Sequence, residues 1–426
     1  MKPRLLPILR SAKTHLLLTA LGLVASLPAS ARGEMLKAGD FVAVCGDSIT
    51  AQCLYSQYIE DYLVLCRPAA GLQVQQFGWG GERAPGFLGR MENDVLVFRP
   101  NVVTLCYGMN DGSYTAGKGS IYDTYRAAMT DIVTGLKKAG VRDIVIGTPG
   151  AVDTDTFMKL DPAVYNNTLK ELGNVGKEVA AREGVGFADV HSLMIDAMAR
   201  AKAKYGKDYN VAGGDGVHPN RNGHLIMAYA FLKALGCDGD IGTITFDQKA
   251  GKAEATEGHK VVSFGKDFVE VESSRYPFCF SGDPSKPDSN LGMTEFIPFN
   301  NDLNRFKLVV KNPTGKSVKI TWGKNSKTFS AEQAAEGINL AAEFPENPFS
   351  QPFADAEARI RQKQVDEGIL SKELLHSLPQ WSKSLPDEKP TFQKLPEKIV
   401  GAAATLRKQS SELAVPVKHR IIVESL

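Results

Sequence analysis

Short apolar runs alternate with amphipathic stretches along the first half of the chain. Runs of strand length, dominated by apolar residues, occur at Phe41–Cys45, Leu72–Phe77, Val102–Tyr107, Asp143–Thr148 and Val185–Val190. Between them, helical spacing of apolar residues occurs at Ser48–Cys66, Ile121–Ala139, Asp161–Glu183, Ser192–Lys204 and Asn220–Leu235. Apolar strands that alternate with helices are typical of a parallel sheet covered on both faces. The pattern predicts an α/β domain over residues 36–236.

The pattern changes after residue 236. Short strands, separated mostly by Gly, Asn, Asp and Pro, occur at Gly242–Phe246, Lys260–Phe264, Phe268–Glu272, Phe306–Lys311 and Ser317–Trp322. They predict a smaller, antiparallel, sandwich-like accessory domain over residues 237–343.

Residues 344–426 are rich in Pro, Glu, Lys and Gln and form a predicted helical and extended C-terminal region. Helices are predicted at Ala354–Gln364 and Ser371–Leu378, an extended or loop segment at Pro386–Pro396, and a last strand at His419–Ser425.

The N-terminus has the pattern of a secretory signal peptide. Four positive charges, at Lys2, Arg4, Arg10 and Lys13, precede the apolar run Leu16–Ala25, and Ala29-Ser30-Ala31 has the small-x-small form of a cleavage site. A run of about ten residues is too short to cross a bilayer of about 30 Å. We expect residues 1–31 to be removed and the protein to be exported, to the periplasm or the extracellular space. No later stretch has the length and apolar character of a transmembrane anchor.

Charge and composition exclude several classes of protein. With 43% hydrophobic and 23% charged residues, the chain has the composition of a folded globular protein. Its formal charge is +2, and loss of the four leader charges leaves −2, so there is no electrostatic reason to expect nucleic-acid binding. Six scattered cysteines show neither a disulfide framework nor a zinc-ligand spacing, and no metal or organic cofactor is expected.

Polar motifs follow the first three predicted strands and precede the last helix. They are Gly46-Asp47-Ser48, Gly78-Trp79-Gly80-Gly81-Glu82-Arg83, Gly108-Met109-Asn110-Asp111 and Asp215-Gly216-Val217-His218. A serine at a strand-to-helix turn lies at the carboxyl edge of the sheet, above a helix N-terminus that favours negative charge. Consecutive glycines expose backbone N–H groups, and an Asn carboxamide adds a donor. His is the natural general base near neutral pH, and an Asp three residues earlier can fix its tautomer.

Each motif has an ordinary structural explanation when taken alone. Asp-Ser is a common helix N-cap, a run of glycines forms tight turns, and Asn and His are frequent in surface loops. The order of the four motifs is much more specific. In this order the sequence resembles the SGNH (GDSL-type) hydrolase family over roughly residues 40–236.

The resemblance implies a three-layer α/β/α, flavodoxin-like fold with a parallel five-stranded sheet of order 2-1-3-4-5. It also implies a catalytic triad of Ser48, His218 and Asp215, with an oxyanion hole formed by the Ser48 and Gly81 amides and the Asn110 side chain. The glycine motif departs from the family pattern G-x-S-G-D-T, because Gly80 takes the place of the Ser. A one-residue shift of the amide donor from Gly81 is therefore an open alternative.

The substrate is less constrained than the reaction. An exported member of this family with an accessory β domain resembles carbohydrate O-acetylesterases, so a small ester or an acetylated glycan is expected. Trp79, Tyr107 and Tyr114 are candidate substrate-binding residues, because aromatic faces suit sugar rings. The alternative, which is the more common case, is that they pack the loops. Arg83 is a candidate for contact with a substrate carboxylate, or it pairs with a neighbour such as Glu82.

Two other functions remain open from the sequence. A lipid- or thioester-directed hydrolase of the same fold requires a broad apolar cleft around Ser48. A non-catalytic glycan-binding surface protein has no need of the complete set of Ser48, Asn110, Asp215 and His218, which argues against it.

Overall fold

The computed structural model describes residues 35–67 and 69–426. The expected leader, residues 1–31, lies outside the described ranges. Within those ranges, no helix combines the length and the apolar character needed to cross a membrane.

The first half of the chain folds around a parallel five-stranded sheet. Its strands are β1 Phe41–Gly46, β2 Gln73–Gln76, β3 Val102–Cys106, β4 Asp143–Gly147 and β5 Gly186–Ala188. Their order is β2-β1-β3-β4-β5, and each neighbouring pair is parallel. Every residue of β1 and β3 is buried, as expected of strands covered on both faces. The predicted fold class and strand order are confirmed.

Helices cover both faces of this sheet. They are α1 Ser48–Ala51, α2 Tyr55–Asp61, α3 Ala84–Asp94, α4 Gly119–Lys138, α5 Pro162–Glu183, α6 Val190–Tyr205 and α7 Arg221–Ala234. Helix α4 packs against both α3 and α5, and helix α7 packs against both α2 and α6. This arrangement gives the three layers of the α/β/α architecture.

The predicted single helix Ser48–Cys66 is wrong in detail. Helix α1 ends at Ala51, Cys53 takes the left-handed conformation with φ 57°, and α2 begins at Tyr55. The chain then continues as the π-helix Tyr62–Cys66. The interruption leaves α1 as a single short turn directly after Asp47.

Two further sheets follow the first domain. Their strands are β6 Asp240–Asp247, β7 Lys252–Ala255, β8 His259–Phe264, β9 Phe268–Ser273, β10 Arg305–Lys311, β11 Ser317–Trp322, β12 Asn325–Ser330, β13 Ile338–Asn339 and β14 Val417–Ser425. One sheet has the order β13-β10-β6-β7 and the other β12-β11-β14-β9-β8. Strands β6 and β10 are parallel, so the purely antiparallel prediction is wrong for this pair.

Aromatic residues and a histidine network fill the space between these two sheets. Phe306 of β10 packs 5.7 Å, centroid to centroid, from the fully buried Trp322 of β11. Trp322 Nε1 donates to His419 Nδ1 at 3.2 Å, and His419 Nε2 lies 2.9 Å from Ser273 Oγ. The C-terminal strand β14, which carries His419, thus completes the core of the β-rich region.

Short helices connect the β-strands, and longer ones precede β14. They are α8 Phe299–Leu303, α9 Ala331–Glu336, α10 Leu340–Glu343, α11 Ser350–Gly368, α12 Leu378–Ser384, α13 Lys389–Phe392 and α14 Leu395–Ser411. The π-helix Ile369–Leu375 separates α11 from α12. The extended segment predicted at Pro386–Pro396 is wrong, because this segment is a 3₁₀ turn, α13 and the start of α14.

Helices α11 and α14 pack on the edge strand β2 of the first sheet. Lys363 of α11 forms a buried ion pair with Glu60 of α2 at 2.9 Å, and Arg407 of α14 donates to Gln75 of β2 at 2.6 Å. Covering an edge strand in this way removes its unpaired backbone groups from solvent. The C-terminal helices are therefore packed directly against the parallel-sheet half of the molecule.

Candidate active site

Ser48 lies at the first turn of α1, directly after β1. Asp47 is the N-cap residue, and its Oδ1 accepts from the Ile49 N–H at 2.9 Å. Gly46 has no space for a side chain, because a Cβ there would lie 2.1 Å from Thr50 Oγ1 and 2.8 Å from the Cys106 carbonyl. The tight turn presents the half-buried Ser48 hydroxyl at the carboxyl edge of the sheet.

The loop before α7 brings a histidine and a carboxylate to this hydroxyl. Ser48 Oγ lies 2.8 Å from His218 Nε2, and His218 Nδ1 lies 2.6 Å from Asp215 Oδ2. Asp215 Oδ1 accepts from the backbone N–H groups of Val217 and His218, each at 2.9 Å. Burial alone would raise the pKa of Asp215, but these hydrogen bonds from His218 and Val217 bring it below its ordinary value. A charged Asp215 therefore faces the far nitrogen of the imidazole.

The segment 78–83, which we call the glycine loop, follows β2 and approaches α1 closely. A Cβ at Gly78 would lie 2.3 Å from the Ala51 nitrogen, so only glycine fits. Gly81 takes the left-handed conformation with φ 71°. In the described part of the chain, no protein acceptor pairs with the N–H of Ser48 or of Gly81. Both amides are free to donate to a ligand.

The side-chain amide of Asn110 lies between the glycine loop and the N-cap of α1. Its Nδ2 donates to the Glu82 carbonyl at 3.1 Å and lies 3.4 Å from Asp47 Oδ2. The Tyr114 hydroxyl donates to Asn110 Oδ1 at 3.2 Å, which fixes the direction of the amide. The contact with Asp47 is long and weak, so an incoming oxyanion can replace it.

A buried ion pair that the sequence did not reveal lies under the glycine loop. Glu82 accepts two hydrogen bonds from Arg90, both at 2.7 Å, and a third from the Tyr107 hydroxyl at 2.8 Å. Arg90 lies on α3, which was not predicted because Pro85, Gly86 and Gly89 weaken its helical pattern. The expected pairing of Glu82 with Arg83 is therefore wrong.

Two further carboxyl groups are buried beside the site. Asp111 accepts from the backbone N–H groups of Ala84 at 2.9 Å and Gly108 at 3.0 Å, so it ties the loop after β3 to the start of α3. Burial raises the pKa of Asp111 to about 6. Burial, together with the nearby charges of Asp111 and Glu82, raises the pKa of Asp47 to about 7.

The candidate substrate residues differ in their accessibility. Tyr107 is fully buried and packs 5.2 Å from Phe87, so it belongs to the core and does not present a face to a ligand, contrary to the expectation. Tyr114 is half-buried and stacks on Tyr165, with Lys159 Nζ 3.5 Å from its ring centroid. Trp79 is half-buried, with Arg90 5.2 Å from its ring centroid.

A cavity of about 660 Å³ opens beside the glycine loop. Its lining includes Trp79, Gly81, Arg83, Ser120 and Thr124 but neither Ser48 nor His218. It therefore lies beside the glycine loop and contains neither of these two side chains. Arg83 is exposed and forms no ion pair with a described residue, so its charge is available to a ligand.

Residues from the C-terminal region contact the glycine loop, and no sequence pattern indicated this contact. The His376 ring lies 4.5 Å from the Trp79 ring, and Lys372 Nζ lies 5.8 Å from the Trp79 ring centroid.

Among the described residues, no group of three or more His, Cys, Asp or Glu side chains is placed to hold a metal ion.

Known proteins resemble this chain in sequence and in fold. Residues 44–226 match the GDSL-like Lipase/Acylhydrolase family. An acetylxylan esterase from Geobacillus stearothermophilus is 28% identical over 189 residues, which cover 43% of this chain and 80% of that protein. A gut microbial diltiazem-metabolizing enzyme has the same fold over 92% of this chain and 98% of its own, with a TM-score of 0.69 and 21% identity. The resemblance predicted from the motifs is confirmed: residues 44–226 match the GDSL-like lipase/acylhydrolase family, and this match and the acetylxylan esterase relative support a carboxylic ester hydrolase.

Proposed function

We propose that this protein is an exported serine esterase that removes O-acetyl groups from carbohydrate. The observation that carries the proposal is the continuous hydrogen-bonded series from Ser48 Oγ through both ring nitrogens of His218 to Asp215, with distances of 2.8 and 2.6 Å. Such a series is the arrangement that activates a serine hydroxyl as a nucleophile.

In the proposed reaction, His218 Nε2 removes the proton from Ser48 as its oxygen attacks the ester carbonyl. The negative charge that develops on the carbonyl oxygen is met by the free amides of Ser48 and Gly81 and by Asn110 Nδ2. Asp215 stabilises the imidazolium, which then gives its proton to the departing alcohol. A water molecule, deprotonated by His218, hydrolyses the acyl-enzyme and releases the acid.

Two observations support a carbohydrate ester over a lipid. The related Geobacillus stearothermophilus protein is an acetylxylan esterase. The cavity beside the glycine loop also has a mixed lining, in which Arg83, Ser113, Ser120 and Thr124 lie among apolar residues such as Pro85 and Ile121. A mixed lining suits a sugar, whereas a long acyl chain favours a wholly apolar one. We propose that the half-buried Trp79 stacks on a sugar ring and that the exposed Arg83 contacts an acidic group on the sugar.

The export proposal rests on the leader pattern. Cleavage after Ala31 gives a mature chain that begins at Arg32, which N-terminal sequencing of the exported protein would detect. We further propose that residues 36–236 carry the catalytic site, with residues 237–343 as the β-rich accessory domain and residues 344–426 as a C-terminal region.

A screen for acetate release tests the substrate. The wild-type chain and the Ser48→Ala variant are incubated with acetylated xylan, acetylated pectin and p-nitrophenyl esters from acetate to decanoate. We expect acetate release by the wild type alone and a steep fall in rate beyond short acyl chains. Preference for octanoate or longer esters would favour a lipase. Full activity of Ser48→Ala would contradict the mechanism, and glycan binding without turnover would favour a binding protein.

A further inference from the structure

A series of side-chain contacts joins the C-terminal helices to the glycine loop. His376, directly after the π-helix Ile369–Leu375, contacts two residues at once. Its Nδ1 lies 2.7 Å from Asp94 Oδ2, and its ring lies 4.5 Å from the ring of Trp79. Asp94 ends α3 and Trp79 belongs to the glycine loop, so one side chain from the C-terminal region holds both elements.

The series continues from Asp94 to the carboxylate under the loop. Arg90 Nη1 lies 3.6 Å from Asp94 Oδ2, while Arg90 Nε and Nη2 each donate to Glu82 at 2.7 Å. These three side chains are at most 8% exposed, so water screens their interaction only weakly. The Glu82 carbonyl then accepts from Asn110 Nδ2 at 3.1 Å.

The tip of the glycine loop, at Gly80 and Gly81, has little packing of its own. A Cβ added at Gly80 or Gly81 would have no atom within 4 Å, so no neighbouring segment that the structure describes packs against this side of the tip. The orientation of the Gly81 amide therefore depends on contacts made by its neighbours Trp79 and Glu82. His376 reaches Trp79 directly and Glu82 through Asp94 and Arg90.

We propose that His376 is a positioning residue for ester hydrolysis: it fixes the glycine loop and, through Arg90 and Glu82, the Asn110 amide. The proposal rests on the function proposed above, because that function makes Gly81 and Asn110 donors to the oxyanion. Donors to an oxyanion act mainly in the transition state, so their displacement lowers kcat and leaves KM nearly unchanged.

Three substitutions separate the two contacts of His376. His376→Ala removes both, His376→Asn keeps a donor near the position of Nδ1, and His376→Phe keeps a ring against Trp79. Gln380→Ala, at an exposed position of α12, is the matched control. With the full chain and p-nitrophenyl acetate, we expect His376→Ala to lower kcat about 10- to 100-fold with KM within about twofold. The Asn and Phe variants should be intermediate and Gln380→Ala unchanged.

A second measurement does not depend on activity. Hydrogen exchange of peptides that cover residues 78–83 should be faster in His376→Ala than in the wild type and unchanged in Gln380→Ala. If His376→Ala fails to fold, as judged by its thermal transition, the Asn and Phe variants replace it. Wild-type exchange in the loop together with wild-type kcat would overturn the proposal.

The Asn110→Ala background tests the proposed route. If His376 acts through the oxyanion donors, His376→Ala should cost clearly less in that background than in the wild type. An equal loss in both backgrounds would overturn the route through Asn110. A wild-type chain that neither hydrolyses esters nor reacts with a fluorophosphonate at Ser48 would refute the proposed function instead, and loop exchange in the His376 variants would still decide the positioning role.

Discussion

The side chain of Asn110 donates a 3.1 Å hydrogen bond to the backbone carbonyl of Glu82. This bond joins the loop after β3 to the glycine loop after β2, two segments whose strands lie on opposite sides of β1. The position of the Asn110 amide and the position of the Gly81 amide are therefore set together. Two of the three proposed oxyanion donors form one structural unit.

Replacement of Asn110 should separate catalysis from folding. We expect Asn110→Ala to lower kcat about 100- to 1,000-fold, because one oxyanion donor contributes about 3–4 kcal/mol to transition-state stabilisation. The side chain is only half-buried, so the thermal transition should change little. Steady-state kinetics with p-nitrophenyl acetate and a melting curve measure the two effects.

Tyr114→Phe is the matched control for this prediction. It keeps the aromatic stack on Tyr165 and removes only the hydroxyl that donates to Asn110 Oδ1. We expect a fall in kcat that is much smaller than that of Asn110→Ala. Full activity in Asn110→Ala would show that the amide has no role in the transition state.

Much of the first domain could be predicted from sequence because its local signals agree with its tertiary contacts. The strands β1, β3, β4 and β5 are mostly apolar, and β2, although rich in Gln, lies between Leu72 and Phe77. Each of the five was located within two residues at either end. Helix α3 was missed because Pro85 and two glycines give it a poor helical pattern, and tertiary contacts such as its packing against α4 stabilise it. The segment Pro386–Pro396 was misassigned for the same reason, since three prolines lie at helix N-termini there.

The site could be predicted in part. Four motifs that follow strands or precede a helix, together with their resemblance to the SGNH family, indicated Ser48, Gly81, Asn110, Asp215 and His218. The first three motifs were expected to lie close together because the ends of neighbouring parallel strands meet at one edge of a sheet. The contacts of Glu82 with Arg90 and of Trp79 with His376 have no such signal. They join residues whose spacing in the sequence carries no motif, and only the fold brings them together.

A side chain added at Gly78 should destabilise the protein more than one added at Gly80. A Cβ at Gly78 would lie 2.3 Å from the Ala51 nitrogen and 2.5 Å from the Thr50 carbonyl carbon, so Gly78→Ala must push the glycine loop away from α1. We expect a loss of about 1–3 kcal/mol in the free energy of unfolding. Gly80→Ala, where nothing lies within 4 Å, should leave the urea midpoint unchanged. Equal midpoints for the two variants would show that the loop is not held against α1.

Removal of Arg90 should destabilise the protein strongly. Arg90→Met leaves the Glu82 carboxylate buried without its cation, and breaking a buried pair from one side typically costs about 3–5 kcal/mol. The double variant Arg90→Met, Glu82→Gln removes both charges and should recover part of this loss, because the buried group that remains is neutral. Urea denaturation of both variants measures the difference. A double variant less stable than Arg90→Met would contradict this explanation.

Asp47 should make stability fall as the pH rises from acid to neutral. Burial raises the pKa of Asp47 to about 7, whereas an unfolded Asp titrates near 3.9. Between these values the folded protein holds a proton that the unfolded chain releases, so unfolding is favoured as the pH increases through this window. Asp47→Asn keeps a good N-cap and cannot ionise. The melting temperature of Asp47→Asn, relative to the wild type, should therefore increase from pH 5 to pH 8.

Asp155 provides the control for this prediction. It is an exposed residue whose pKa is lowered by its hydrogen bond from Lys202, so the melting temperature of Asp155→Asn relative to the wild type should be the same at both pH values. A flat difference for Asp47→Asn as well would show that the folded protein carries Asp47 ionised at both pH values.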